Sequence, residues 1–423
     1  MKNPWSWIPT LYFAEGLPYV LVMTVSVVMY KNLGLSNTDI AYYTSWLYLP
    51  WVIKPLWSPF VDLIKTKRWW ITTTQFLIGA GMAGIAFSLP APLFFQISLA
   101  FFWLMAFSSA THDIAADGFY MIALTESDQS LFVGIRSVFY KIATIFGQGL
   151  LVFLAGTLIE NGLGVTNAWQ IIFFTTAALF IIIALWHKFV LPKPANDSNK
   201  SMQKFGDLFY TFFTKKGIWL ALAFILLYRL GESQLAKIAS PFLLDDRAVG
   251  GLGVSTSMVG VLYGTVGVLA LLVGGILGGW LASRNGLKYW LWPMIIFMNV
   301  PNLVYVYLAL CQPENIYIIG SCIALEQFGY GVGFTAFMLY LIYVSQGPYQ
   351  TAHYALCTGF MALGMMLPGM AAGWVQENMA SLVGPQLATL GNYTLFFIWV
   401  CLCTIPGFII AAFLKIPKEF GRK

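Results

Sequence analysis

Charge is what this 423-residue chain has least of: Asp, Glu, Lys and Arg make up 9% of it, against about 25% in soluble globular domains. With 59% hydrophobic residues and a mean hydropathy of +0.75, that scarcity excludes a water-soluble fold and implies an integral membrane protein. Cysteine is scarce too. Cys311, Cys322, Cys357, Cys401 and Cys403 lie in or beside apolar stretches, form no ligand set and read as packing residues. The lysine-bearing phosphate loop, the HExxH zinc helix and the nucleophile elbow are all absent, so no enzyme, metal or cofactor chemistry is marked. Met1 to Trp7 carries one lysine and runs into apolar residues without a small-residue cleavage site, so no cleaved leader is expected. The net charge of +6 would suggest nucleic acid in a soluble chain. In a membrane chain it reflects topology, and no nucleic-acid partner is expected.

Long apolar runs are what the chain has most of. A hydrocarbon core of about 30 Å needs ~20 apolar residues per helix. That ruler predicts an all-α membrane protein with twelve transmembrane helices, at 8–30, 39–60, 69–89, 93–120, 134–158, 168–190, 218–243, 255–282, 288–310, 316–345, 350–375 and 391–414. One long polar connection, Leu191 to Lys216, separates six spans from six. It predicts an N-terminal bundle over 1–190, a cytoplasmic linker over 191–217 with no core of its own, and a C-terminal bundle over 218–423. With both termini inside, the inner segments hold sixteen Lys and Arg: Lys2, Lys65, Lys67, Arg68, the six lysines from Lys188 to Lys216, Arg284, Lys288 and four from Lys415 to Lys423. The outer loops hold only Lys31 and Arg247, which fixes the expected orientation. The basic turns after Asp62 and after Ser283 fall six helices apart, as parallel repeats do in the major facilitator superfamily.

The few intramembrane charges carry the functional reading, because ionisable groups at bilayer depth usually mark a substrate or proton path. In span 4, His112, Asp113 and Asp117 cluster, with the two acids at i, i+4 on one face. A histidine changes charge near neutral pH, and a buried acid can load and release a proton. Arg136 and Lys141 open span 5, so a purely structural salt-bridge cluster with these acids is the rival. Glu15 precedes Pro18 in span 1 and reads either as a cavity group or as a partner for a nearby cation. Span 7 holds Arg229 and, at i+3, Glu232, either a carboxylate-recognising guanidinium or a self-neutralising pair, with Lys237 further on. Span 10 holds Glu326 and Gln327 near its middle. Lys54 in span 2 and Asp62 just beyond it, followed by Lys65, Lys67 and Arg68, read as a cytoplasmic ion-pair gate, together with Arg136. Gly274/Gly278, Gly275/Gly279 and Gly369/Gly373 read as helix-packing pairs.

These segments resemble, in order, the AmpG-like branch of the major facilitator superfamily, the muropeptide permeases. Gly16-Leu17-Pro18 is similar to that branch's helix 1 motif, and Lys54 to Asp62 (KPLWSPFVD) resembles K-x-L-W-[SA]-P-x-x-D. Ala110 to Asp117 (ATHDIAAD) resembles A-T-Q-D-I-x-x-D, and Tyr140-Lys141 a Tyr-Arg pair. Tyr228 to Glu232 (YRLGE) resembles Y-K-L-G-D, and Glu326 to Phe337 (EQFGYGVGFTAF) resembles E-N-x-x-G-G-M-G-T-A-A-F. The chain departs from the pattern at His112 (usually Gln), at Glu15 (usually small) and at Tyr120-Met121-Ile122, which replaces Lys-x-Asp. The resemblance implies a proton-coupled importer of a cell-wall muropeptide or amino sugar such as GlcNAc-anhydro-MurNAc, working by alternating access as a monomer in the bacterial inner membrane. Its partners would be a small-molecule substrate, protons and the lipid bilayer. In this reading His112, Asp113, Asp117 and Lys141 carry proton coupling, and Glu15, Arg229, Glu232, Glu326 and Gln327 bind substrate. Symport of a siderophore, an acyl-coenzyme A or a simple sugar is the alternative; a membrane transferase is the more distant one.

Overall fold

Apolar runs bounded by Gly, Pro and capping residues fold here into helix after helix, with no strand among the described residues. The computed structural model describes residues 3–194, 197, 205–347 and 349–422, apart from the side chains of Asp62, Leu63, Glu126, Ser130 and Phe205. Among the described residues, eleven helices are long and apolar enough to cross a membrane. They are α1 (Pro4–Asn32), α3 (Lys67–Ser88), α4 (Phe94–Ala123), α5 (Ser127–Glu160), α6 (Val165–Val190), α7 (Ile218–Leu244), α8 (Thr256–Asn285), α9 (Leu287–Cys311), α10 (Ile316–Ser345), α11 (Gln350–Leu382) and α12 (Asn392–Ala411).

The remaining expected span, 39–60, forms α2 in two segments, Asn37–Trp46 and Leu49–Leu63. Pro50 explains the break: it has no N–H to offer the Trp46 carbonyl, so the i→i−4 ladder is interrupted. The first segment starts at Ser36, whose side chain accepts from the Asp39 amide.

Two compact units result. The first comprises residues 1–33 with 53–203, the second 34–52 with 204–423. The first segment of α2 therefore packs with the second unit, a division finer than a cut at the central linker. Within the first unit, α1 and α5 approach closely, and a Cβ on Gly16 would come 2.9 Å from the Tyr140 carbonyl. Thr66 caps α3 by accepting from the Trp69 amide. The Asp197 carboxylate accepts from the Lys67 and Arg68 amides at 2.8 and 3.3 Å, placing an anion at a helix N-terminus.

Within the second unit, α8 and α10 touch backbone to backbone. A Cβ on Gly274 would lie 2.1 Å from the Phe328 carbonyl oxygen, and one on Gly331 2.1 Å from that of Leu271. Gly278 also abuts α10, while Gly279 faces open space, so only one of the two predicted α8 pairs packs with both members. Gly373 makes the same close approach to Asn37 of α2. Tyr228 ties α7 to α10: its hydroxyl donates to the Gly333 carbonyl (2.9 Å) and its ring stacks on Phe337. At the α8–α9 turn Gly286 holds φ +83°, and a side chain there would also press on the Lys418 and Phe420 carbonyls.

Part of the linker segment packs against the second unit's helices. Its residues Phe205–Phe213 form a helix whose Phe212 is fully buried beside Phe360 and His353 of α11. Lys215 then donates to the Val344 and Gln346 carbonyls, a cation on the C-terminal end of α10. All five cysteines are free thiols; Cys357 and Cys403 are buried, but Cys311, the last residue of α9, is exposed and not a packing residue.

Candidate functional site

In the first unit the helix 4 acids meet cations from two other helices. Asp113 pairs with Lys54 of α2 at 3.5 Å, and Asp117 pairs with Arg136 of α5 at 3.1 Å. Tyr12 of α1 completes the second pair, its hydroxyl accepting from Arg136 (3.1 Å) and donating to Asp117 (3.4 Å). The Arg136 guanidinium also lies over the rings of Tyr12 and Tyr120, 5.0 and 5.1 Å from their centroids. Glu15 stands within electrostatic reach of Asp113, Asp117, Lys54 and Arg136, and its Oε2 is buried with no hydrogen-bond partner among the described residues. The cluster therefore gathers three carboxyl groups around two cations.

That arrangement groups the residues differently from the expected sets. Lys54 and Arg136, expected in a gate, are the counter-charges of the helix 4 acids. Glu15, expected with the ligand groups, lies with those acids instead. Lys141, expected opposite them, is half-buried with no carboxylate partner among the described residues. Five residues before it, Arg136 makes the pair with Asp117.

His112 faces away from the acid pairs. Its Nε2 lies 2.9 Å from Gln75 Nε2 of α3, and Gln75 Oε1 lies 2.9 Å from His187 Nδ1 of α6. Thr10 Oγ1 of α1 lies 2.9 Å from the other His187 nitrogen. The Gln75 amide thus bridges the two imidazoles, one ring nitrogen accepting from it and the other donating to it. Gln75, His112 and His187 are fully buried, and this chain joins four helices. Gln75 and His187 escaped sequence reading because a lone polar residue in an apolar span gives no spacing signal.

The predicted gate residues have other partners as well. The Arg68 guanidinium donates to the carbonyls of Leu191 and Lys188, while the Lys67 amide is held by Asp197. Lys65 is exposed with φ +65°. The Asp62 side chain lies outside the described ones, so its proposed ion pairs do too.

In the second unit, α7 breaks between Ile218–Leu227 and Leu230–Leu244, where Arg229 leaves helical geometry (φ −105°, ψ 20°). Non-helical backbone at membrane depth is tolerated where it is buried in protein or lines a water-filled cavity. Arg229 donates to the Tyr330 hydroxyl and lies over the rings of Tyr330 and Phe334 at 5.4 and 5.1 Å. Glu232 sits within reach of the Arg229 charge, and Glu326 within reach of Glu232. Gln327 donates to Glu326 Oε2 at 2.9 Å. Glu232 Oε2 and Glu326 Oε1 are buried without hydrogen-bond partners among the described residues. The four residues predicted for this unit, Arg229, Glu232, Glu326 and Gln327, thus come together on α7 and α10, and Tyr330 joins them.

The Major Facilitator Superfamily model matches residues 10–373. The chain is similar to the anhydromuropeptide permease of Escherichia coli (strain K12), 26% identical over 431 aligned positions that cover 97% of this chain and 80% of the permease. Its fold is similar to that of a bacterial homologue of the human lysosomal transporter Spinster, in an inward-facing and unoccupied conformation (TM-score 0.72, 15% identity, 96% and 94% of the two chains). It is equally close to that of a D-xylose–proton symporter (TM-score 0.72, 11% identity, 98% and 97%). With eleven membrane-length helices, an intact series of intramembrane charges and a family match over most of its length, the chain belongs to the major facilitator superfamily of membrane transporters.

Proposed function

We propose that this transporter imports a cell-wall-derived muropeptide or amino sugar, such as GlcNAc-anhydro-MurNAc, together with protons, across the bacterial cytoplasmic membrane. Its termini face the cytoplasm, where the sixteen Lys and Arg of the inner segments belong. The observation that carries the reading is the cluster of Glu15, Asp113 and Asp117 around Lys54 and Arg136, in a chain similar over nearly its full length to an anhydromuropeptide permease. Two cations balance two carboxylates, and the third carboxyl is the place for a transported proton. Partner exchange among these five groups couples protonation to the rocking of helices. His112 and Lys141 flank the set without pairing with its acids. Arg229, Glu232, Glu326 and Gln327 contact the ligand, with the Tyr330 and Phe334 rings beside them.

The test is uptake of radiolabelled GlcNAc-anhydro-MurNAc into proteoliposomes under an imposed pH gradient. Wild type accumulates it. Asp113→Asn and Asp117→Asn each lose gradient-driven accumulation at least about tenfold while exchange of ligand for ligand persists, because exchange needs no net proton movement. Accumulation at the wild-type level in both variants would sink the coupling assignment, and no uptake by wild type would sink the substrate.

A further inference from the structure

The second unit contains one more buried cation, and nothing described above uses it. Lys237 of α7 is 3% exposed. Its Nζ donates to Thr44 Oγ1 of α2 at 2.9 Å and lies 5.3 Å from the centroid of the Tyr48 ring. No carboxylate pairs with it among the described residues. An ammonium carries three N–H donors, and Thr44 accepts from one. The Thr44 hydroxyl proton is already committed to the Ile40 carbonyl (2.6 Å).

Beside it stands a second donor with nothing to donate to. Ser45 is fully buried, and its Oγ has no partner among the described residues. Ser45 Oγ and the Lys237 stem flank one point on α11: a Cβ on Gly369 would lie 2.7 Å from Ser45 Oγ and 3.5 Å from Lys237 Cγ. The first segment of α2, α7 and α11 thus bring several donors together, with no carboxylate to match them among the described residues. Unmet donors in a dry interior are costly, and a carboxylate, which only accepts, is their complement. Arg229 differs in kind: its charge already has Glu232 and Tyr330 at hand. Lys237 lies eight residues beyond it on one stripe of α7, with Ser233 between, about 12 Å along the axis.

We propose that Lys237, assisted by Ser45, holds the carboxylate of an acidic solute, while the Arg229 end of the same stripe contacts the remainder of the ligand. The inference rests on the importer reading for the position of the ligand, and it names the solute's distinguishing chemistry: a free carboxylate. The lactyl acid of an anhydro-muramyl sugar supplies one.

Calorimetry on the full-length protein in lipid nanodiscs tests this with acid and methyl-ester pairs of GlcNAc-anhydro-MurNAc, N-acetylmuramic acid and an N-acetylated dipeptide. Wild type prefers the acid of at least one pair by about tenfold, the scale of a charge-assisted hydrogen bond. Lys237→Met lowers acid binding to the ester level and leaves the ester unchanged, whereas Lys237→Arg keeps the preference. Ser45→Ala, a milder change that serves if Lys237→Met does not fold, reduces the preference about threefold to fivefold. An acid preference that survives Lys237→Met or Ser45→Ala undiminished overturns the proposal, as does a wild type with no preference in any pair. Lys237-dependent binding of another acid without binding of GlcNAc-anhydro-MurNAc would sink the muropeptide reading and leave the carboxylate site standing.

Discussion

A single glutamine bridges two buried imidazoles. Gln75 presents its amide nitrogen to His112 and its carbonyl to His187, with no solvent near either. Gln75→Leu strands an acceptor on one ring and a donor on the other, and each stranded group costs about 1–3 kcal/mol. The variant should be destabilised by roughly 2–6 kcal/mol and lose monodispersity in detergent at a temperature several degrees lower. Adding His112→Leu should recover part of that loss, because removing both partners of a buried hydrogen bond costs less than removing one. A Gln75→Leu protein as heat-resistant as wild type would show that the chain bears no load. Sequence spacing revealed the helix 4 acids but not their distribution. Asp113 and Asp117 share a face of one helix, yet each takes its cation from a different neighbouring helix. Glu15 joins them from α1, a juxtaposition that depends on tertiary packing and has no local signature.

At the scale of elements, glycines decide where helices touch. The α8–α10 contact leaves no room for a Cβ at Gly274, which would meet a backbone carbonyl and not a side chain able to swing aside. Gly274→Val should therefore separate the two helices and lower stability by about 1–3 kcal/mol or more, read as a reduced yield of monodisperse protein. Gly279→Val, five residues along the helix and facing open space, should be silent. The spans themselves were legible because membrane thickness imposes a length that hydropathy reports directly. Less legible was the break in α2, although Pro50 stood in the predicted span as its cause. The docked linker helix was hidden by the polar residues around it: Phe205–Phe213 is too short for a spanning signal, and its burial depends on Phe360 and His353 far along the chain.

For the whole molecule, the asymmetry of basic residues makes a prediction that side-chain geometry does not. In a protein whose five native cysteines are replaced, Asn161→Cys should react with a membrane-impermeant thiol reagent added to intact cells. Asn285→Cys, beside Arg284 and Lys288, should react only after the membrane is opened. The reverse pattern would invert the proposed orientation.

The three-to-two ratio of acids to cations in the cluster of Glu15, Asp113 and Asp117 with Lys54 and Arg136 has a consequence for the driving force. A solute bearing one negative charge that travels with one proton moves no net charge across the bilayer. The membrane voltage, worth about 2.3 kcal/mol per charge for each 100 mV, then does no work on the cycle. Accumulation would follow the pH difference alone, about tenfold for each unit, and would persist in a cell whose voltage had been short-circuited by potassium and valinomycin.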